Sequence, residues 1–214
     1  AIVKVPEAYY TVIPLLAADK GDNKIVMLPY SPGSSIGRVN LPEWKVNGPH
    51  VARYLYSQQF VELTAPYIPG WKFAEDFENP RYNPEWIADL YGLIGVKYVL
   101  YHKDAKQSSV RDLETTRQYL ENIKALHILH NNDSFFLYRI DEKKVFPYLY
   151  TASEIPFIKL NPEELSESVS DLRDAVSPLG YKRENPKQVV ATVNFLKSHT
   201  RVFLNEKFDP LWSA

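Results

Sequence analysis

The stretch from Asn83 to Ile140 restricts the fold more than any other part of the chain. Asn83-Pro84-Glu85-Trp86 reads as a helix cap with proline at the first helical position. Trp86, Ile87, Leu90, Tyr91 and Ile94 then recur at helical spacing, and Gly95 is a natural terminator. Val96 to Tyr101 is apolar, β-branched and aromatic, and predicts a strand. Val110 to Lys124 predicts a second helix, with Leu113, Tyr119, Leu120 and Ile123 on or near one face. Leu126 to Leu129 and Phe135 to Ile140 predict two strands around the turn Asn131-Asn132-Asp133-Ser134, a β-hairpin. With the Lys24–Tyr30 strand, this order of helix, strand, helix and hairpin suggests one mixed sheet covered by helices.

The flanking segments extend this reading. Pro6 to Ala18 is apolar and aromatic, with Pro6 suited to a helix start and Pro14 placed to break or kink it. Lys24 to Tyr30 is a short continuous apolar run that predicts a buried strand ended by Pro29. Ser31 to Pro49 reads as a long ordered loop, given its prolines and glycines and its buriable Ile36, Val39, Leu41, Trp44 and Val46. Val51 to Leu63 suits either helix or strand, and Ala65 to Tyr82 is irregular, rich in proline and aromatic residues. After Tyr150 the texture changes. A polar stretch from Asn161 to Ser177 precedes two strand-like runs, Val189 to Leu196 and Arg201 to Asn205. The expected fold class is α+β, a mixed sheet flanked by helices with long proline and aromatic loops, followed by a smaller β-rich, sandwich-like C-terminal part. The expected division is residues 1–153 and 154–214, the second an incomplete sandwich. The run Arg201 to Trp212 carries fresh apolar surface almost to the last residue, so the chain reads as a piece of a longer protein.

Charge and composition exclude several classes. Lys plus Arg is 25 and Asp plus Glu is 26, a net charge of −1, without the basic excess a nucleic-acid binder needs. The longest apolar run, Val12 to Ala18, contains Pro14 and falls far short of the ~20 residues of a membrane helix. Cysteine is absent, which removes thiol catalysis, thiolate metal sites and disulfides, and slightly favours an oxidising compartment.

Few residue patterns carry chemistry. Gly33-Ser34-Ser35-Ile36-Gly37 matches G-x-S-x-G after a predicted strand, yet Pro32, Pro42 and Pro49 leave no room for the helix a nucleophile elbow requires. His127 and His130 are three apart on a predicted strand, which would point them to opposite sides and spoil a shared metal site. Glu75-Asp76-Phe77-Glu78, near Trp71 and Tyr82, could furnish the paired carboxylates of a glycosidase, or be a solvated turn. Tyr30, Trp44, Tyr67, Trp71, Tyr82 and Trp86 could form a stacking platform for sugars or lipid headgroups, or be the core of a loop-heavy domain. Asn132-Asp133-Ser134 is an N-glycosylation triplet in the predicted hairpin turn. No catalytic residue, metal ligand or cofactor site is assigned.

Three segments carry a family resemblance. They are Pro6-Glu7-Ala8-Tyr9-Tyr10 with Gly21 to Pro29, then Leu93 to Leu100 with Phe135-Phe136-Leu137-Tyr138-Arg139, and finally Val202 to Trp212. Their order resembles the extracytoplasmic C-terminal region of polytopic membrane proteins of the GT-C glycosyltransferase superfamily, the YfhO-like and arabinofuranosyltransferase-like groups. The resemblance implies a parent with many membrane helices, which transfers a sugar from a polyprenyl-phosphate donor on the outer side of the membrane. Its catalytic acids would lie in loops between those helices, so none is carried over to this chain. The expected role is accessory: packing on the transmembrane part of the same polypeptide, and positioning an acceptor, glycan or lipid-linked sugar. Two other readings stand beside it. One is a free-standing cell-surface carbohydrate- or protein-binding module, in which Trp44→Ala or Trp71→Ala abolishes glycan binding. The other is a soluble glycoside hydrolase working through Glu75, Asp76 and Glu78.

Overall fold

The computed structural model describes residues 5–19, 23–28, 38–41, 46–49, 55–56, 59–61, 81–103, 113–153, 161–185, 188–192 and 200–204. The fold is α+β. Its centre is a five-stranded mixed sheet of β1 (Lys24–Leu28), β4 (Gln59–Val61), β5 (Val96–His102), β6 (Leu126–Asn131) and β7 (Phe135–Ile140), in the order β4-β1-β5-β7-β6. The β4, β1 and β5 strands are parallel, and β7 and β6 complete the sheet as an antiparallel hairpin. Strands buried on both faces read as near-continuous apolar runs, and every residue of β1 is buried, apolar from Ile25 to Leu28.

Alternation along the strands sorts the core into two layers. Val26, Leu28, Val99, Tyr101, Phe136, Tyr138 and Ile140 face one layer. There they meet α2 (Glu85–Leu93) through Trp86, Ile87, Leu90 and Tyr91, α3 (Leu113–Glu121) through Leu120, and α4 (Leu165–Ala175) through Leu165, Val169 and Leu172. Ile25, Met27, Tyr98, Leu100, Phe135 and Leu137 face the other layer, covered by Tyr9, Val12 and Leu16 from the N-terminal helical segment and by Tyr56. An extra residue in β5 shifts the pairing between Lys24–Val96 and Ile25–Tyr98, so Val96 joins the first layer although Tyr98 lies on the second.

The α2 helix forms as its sequence predicts. The Asn83 side-chain oxygen accepts the Glu85 N–H at 3.1 Å, and Gly95 ends the turn at φ 76°, a left-handed conformation that glycine adopts without strain. The buried Lys24 donates from Nζ to the Ile94 carbonyl at 2.8 Å, placing a cation at the helix C-terminus.

Some expectations change. The N-terminal segment is a 3₁₀ helix (Glu7–Val12) running into α1 (Ile13–Ala17), and Pro14 stands in the first turn of α1. It starts a helix rather than breaking one, because a first-turn residue has no N–H obligation to meet. The loop expected over Ser31 to Pro49 contains a hairpin, β2 (Arg38–Leu41) with β3 (Val46–Pro49), in which Pro49 falls at the end of the ladder, opposite Arg38. Within Val51 to Leu63, Gln59–Val61 is a strand.

The β-rich C-terminal part is two small antiparallel sheets. One has the order β12-β8-β9, from β8 (Leu149–Ala152), β9 (Val176–Pro178) and β12 (Arg201–Leu204). The other pairs β10 (Tyr181–Asn185) with β11 (Gln188–Ala191). The β8 strand, before residue 154, thus pairs with strands beyond it. The α4 helix is also fastened to the main layer electrostatically. The carboxylate of buried Asp89 in α2 accepts from Lys144 Nζ at 2.6 Å and from Ser166 Oγ at 2.6 Å, and Arg173 donates to the Lys144 carbonyl at 2.9 Å.

Candidate functional site at the carboxyl edge of the sheet

The β1 strand is flanked on both sides by parallel strands that come later in the chain. The connection from β1 leads to β4 on one side, and the connection from β4 leads back past β1 to β5. In open sheets with parallel strands, a reversal of this kind leaves a crevice beyond the carboxyl ends of the strands, where ligands commonly bind. Here those ends are Leu28, Val61 and His102. The chain segments that begin there hold most of the residues picked out from sequence. Tyr30, Trp44, Tyr67 and Trp71 lie outside the described residues, as do Glu75, Asp76, Glu78 and the Gly33–Gly37 motif.

Of the two described members of the expected aromatic platform, Tyr82 is half-buried against the first core layer and Trp86 is fully buried within it. Trp86 therefore offers no ring face to a ligand. Its place on the apolar stripe of α2 decides this, since a helix lying on a sheet must bury that stripe.

At this edge the described side chains form a polar seam between the N-terminal helical segment and the β6–β7 hairpin. The Tyr9 hydroxyl lies 2.9 Å from His102 Nδ1, both residues are wholly buried, and Tyr9 also packs edge-on against Phe135. The Tyr56 hydroxyl donates to the Tyr9 carbonyl at 2.9 Å, and its burial raises its pKa above the ordinary tyrosine value. Nearer the surface, Thr11 Oγ1 donates to the Ala8 carbonyl at 2.7 Å and lies 3.1 Å from His130 Nε2. Lys103, just past β5, donates from Nζ to Asn131 Oδ1 at 2.5 Å and to the Asn132 carbonyl, and lies 4.0 Å above the Phe136 ring. Burial pulls the Lys103 ammonium below the ordinary lysine value, against an opposing pull from Asp133.

The opposite edge is closed by ions. Lys97 Nζ lies 2.6 Å from Asp19 Oδ2 and 3.2 Å from Glu142 Oε1, and the Tyr98 hydroxyl donates to the same Asp19 oxygen at 2.6 Å. Burial first, and that bond second, raise the Tyr98 pKa.

His127 and His130 depart from expectation. An extra residue at Leu129 shifts the pairing, so His127 sits opposite Arg139 and His130 opposite Leu137, which share a face of β7. The bulge brings both histidines to one side of the sheet, but to different partners: His127 Nε2 lies 2.9 Å from Asp141 Oδ1, and His130 joins the seam. Among the described residues no group of three or more His, Cys, Asp or Glu is placed to hold a metal ion. The seam binds elements of the fold to one another, and its buried Tyr9–His102 pair is closed to any substrate.

No family model matches the sequence, and no curated protein matches it. Solved structures do. Arabinofuranosyltransferase AftD from mycobacteria superposes with a TM-score of 0.57 at 14% identity, over 83% of this chain and 16% of that one. Two structures of a mutant of that enzyme superpose with a TM-score of 0.56 at 15% identity and the same coverage. At this identity the likeness is one of fold. The chain corresponds to about a sixth of the length of the enzyme it resembles.

Proposed function

We propose that this chain is an extracytoplasmic domain of a membrane-embedded glycosyltransferase of the GT-C type, with an accessory role and no catalysis of its own. The observation that carries this reading is the recurrence of most of its fold as a small part of an arabinofuranosyltransferase. The family resemblance of the Pro6–Tyr10, Leu93–Leu100 and Val202–Trp212 segments supports it. The described helices fit a domain that lies beside a membrane rather than in it, since none is long and apolar enough to cross one. The central strands β1, β5 and β7 are buried on both faces, so in this reading contact with a glycan or lipid-linked sugar falls to the carboxyl edge and the segments that begin there. In this reading the partner is the transmembrane part of the same polypeptide, and the donor is a sugar on a polyprenyl phosphate.

The test uses the full-length gene product in membranes. It should transfer a sugar from a polyprenyl-phosphate donor to a glycan acceptor, the purified 214-residue chain should transfer none, and deletion of this domain should lower transfer. A gene product lacking several apolar segments of ~20 residues, or glycoside turnover by the purified chain alone, would overturn the proposal.

A further inference from the structure

Asn132 has two readings, as the acceptor of the Asn132-Asp133-Ser134 glycosylation triplet or as part of the fold, and the geometry separates them. Its Oδ1 accepts two backbone bonds, from Ser134 N at 2.9 Å and Phe135 N at 3.0 Å. Those two donors fix which end of the amide is oxygen. The amide nitrogen therefore points the other way, where Nδ2 lies 3.2 Å from the Ala8 carbonyl and 3.3 Å from His130 Nε2. The Ala8 carbonyl of the N-terminal helical segment accepts one N–H hydrogen, and the His130 ring of β6 packs within contact of the same nitrogen. The residue is half-buried, and its backbone N–H bonds to the Phe135 carbonyl at 3.1 Å.

We infer that Asn132 locks the N-terminal helical segment onto the β6–β7 hairpin, and that the triplet is closed to N-glycosylation in the folded chain. Attachment of a sugar from a lipid-pyrophosphate donor breaks the anomeric C–O bond and one N–H, forms a C–N bond at Nδ2 and releases the lipid pyrophosphate and a proton, and it puts a bulky group where Ala8 and His130 stand. Glycosylation and the native contact therefore compete for one nitrogen. A chain modified before it folds cannot close the seam. This inference does not rest on the proposed function.

The whole chain is expressed through a secretory host that N-glycosylates, and the protease-resistant, folded fraction is analysed by intact mass and peptide mapping. That fraction should carry no glycan at Asn132, and any glycosylated chain should be protease-sensitive. A glycan at Asn132 in the resistant fraction overturns the inference. The lock is tested separately with two variants that each destroy the triplet. Ser134→Ala should leave Tm unchanged to within about 2 °C, whereas Asn132→Gln, whose longer side chain cannot keep both sets of bonds, should lower it by roughly 3–8 °C. Equal Tm values for Asn132→Gln and the parent would refute the lock.

Discussion

The five-stranded sheet and the small C-terminal sheets obey different rules. In the first, β1 is buried along its whole length and β7 nearly so, because helical segments cover both faces. In the second, β12 exposes Val202 and Leu204 while Phe203 turns inward to stack on Tyr150 at 5.4 Å. A strand covered on both sides is specified by its own composition. A strand covered on one side is specified by what lies opposite it. The first kind should hold most of the stability, and the second should open first.

The sharpest break of that contrast is Trp86→Ala, which removes the largest wholly buried side chain of the main layer. Truncations of this kind cost about 3–5 kcal/mol, measured by urea unfolding, and a cost below ~1 kcal/mol would remove the main layer from its place as the stability core. Next is Asp89→Ala, which leaves the Lys144 ammonium and the Ser166 hydroxyl without their shared carboxylate. Breaking a fully buried pair costs about 3–5 kcal/mol. Lys144 is 29% exposed and can reach water, so the expected loss is nearer ~2–3 kcal/mol. It should be accompanied by faster proteolysis between α2 and α4.

Phe203→Ala should cost less, about 1–2 kcal/mol, because the ring is only half-buried. Hydrogen exchange should quicken in β8 and β12 and stay unchanged in β5 and β7. Equal quickening in all four strands would mean that the two regions open as one. The smallest effect belongs to the surface of α3, where Arg117 bridges Glu114 at 2.5 Å and Glu121 at 2.7 Å. Its hydrogen bond to Arg117 leads the causes that hold the Glu114 carboxyl down to about 2, below its ordinary 4.5. A depressed carboxylate stabilises at pH above its unfolded value and loses that contribution as pH falls through the folded one. Arg117→Ala should therefore lower Tm slightly at pH 7, with the difference closing between about pH 4.5 and 2 and shrinking in salt.

The same contrast explains what could be read in advance. Lys24–Leu28, Glu85–Leu93 and Phe135–Ile140 declare themselves by composition or period, and the mixed sheet flanked by helices follows from them. The α4 helix was hidden in a stretch of Ser, Glu and Asp, although Leu165, Val169 and Leu172 keep the spacing of a narrow apolar stripe. The turn that leads into it is signalled by Asn161-Pro162, and there Asn161 Oδ1 accepts the Glu164 N–H at 2.8 Å. Trp86 belongs both to an aromatic cluster and to a helical stripe, and the stripe prevails because its period matches the element that forms. The polar seam could not be foreseen. Tyr9 and His102 are 93 residues apart, and only the placement of the N-terminal segment on the second face of the sheet brings them together. Nor could the Leu129 bulge, since one unpaired residue leaves the composition of a strand unchanged.

That bulge has a wider consequence. The β6 strand forms an outer border of the sheet, and Ile128 is 52% exposed there. A straight border strand with an uncovered isoleucine would invite a neighbouring molecule to continue the ladder. An interrupted register withholds the evenly spaced amides that such a neighbour needs. Among the described strands, the bulge thus makes this border a poorer template for another chain than a regular strand of the same length.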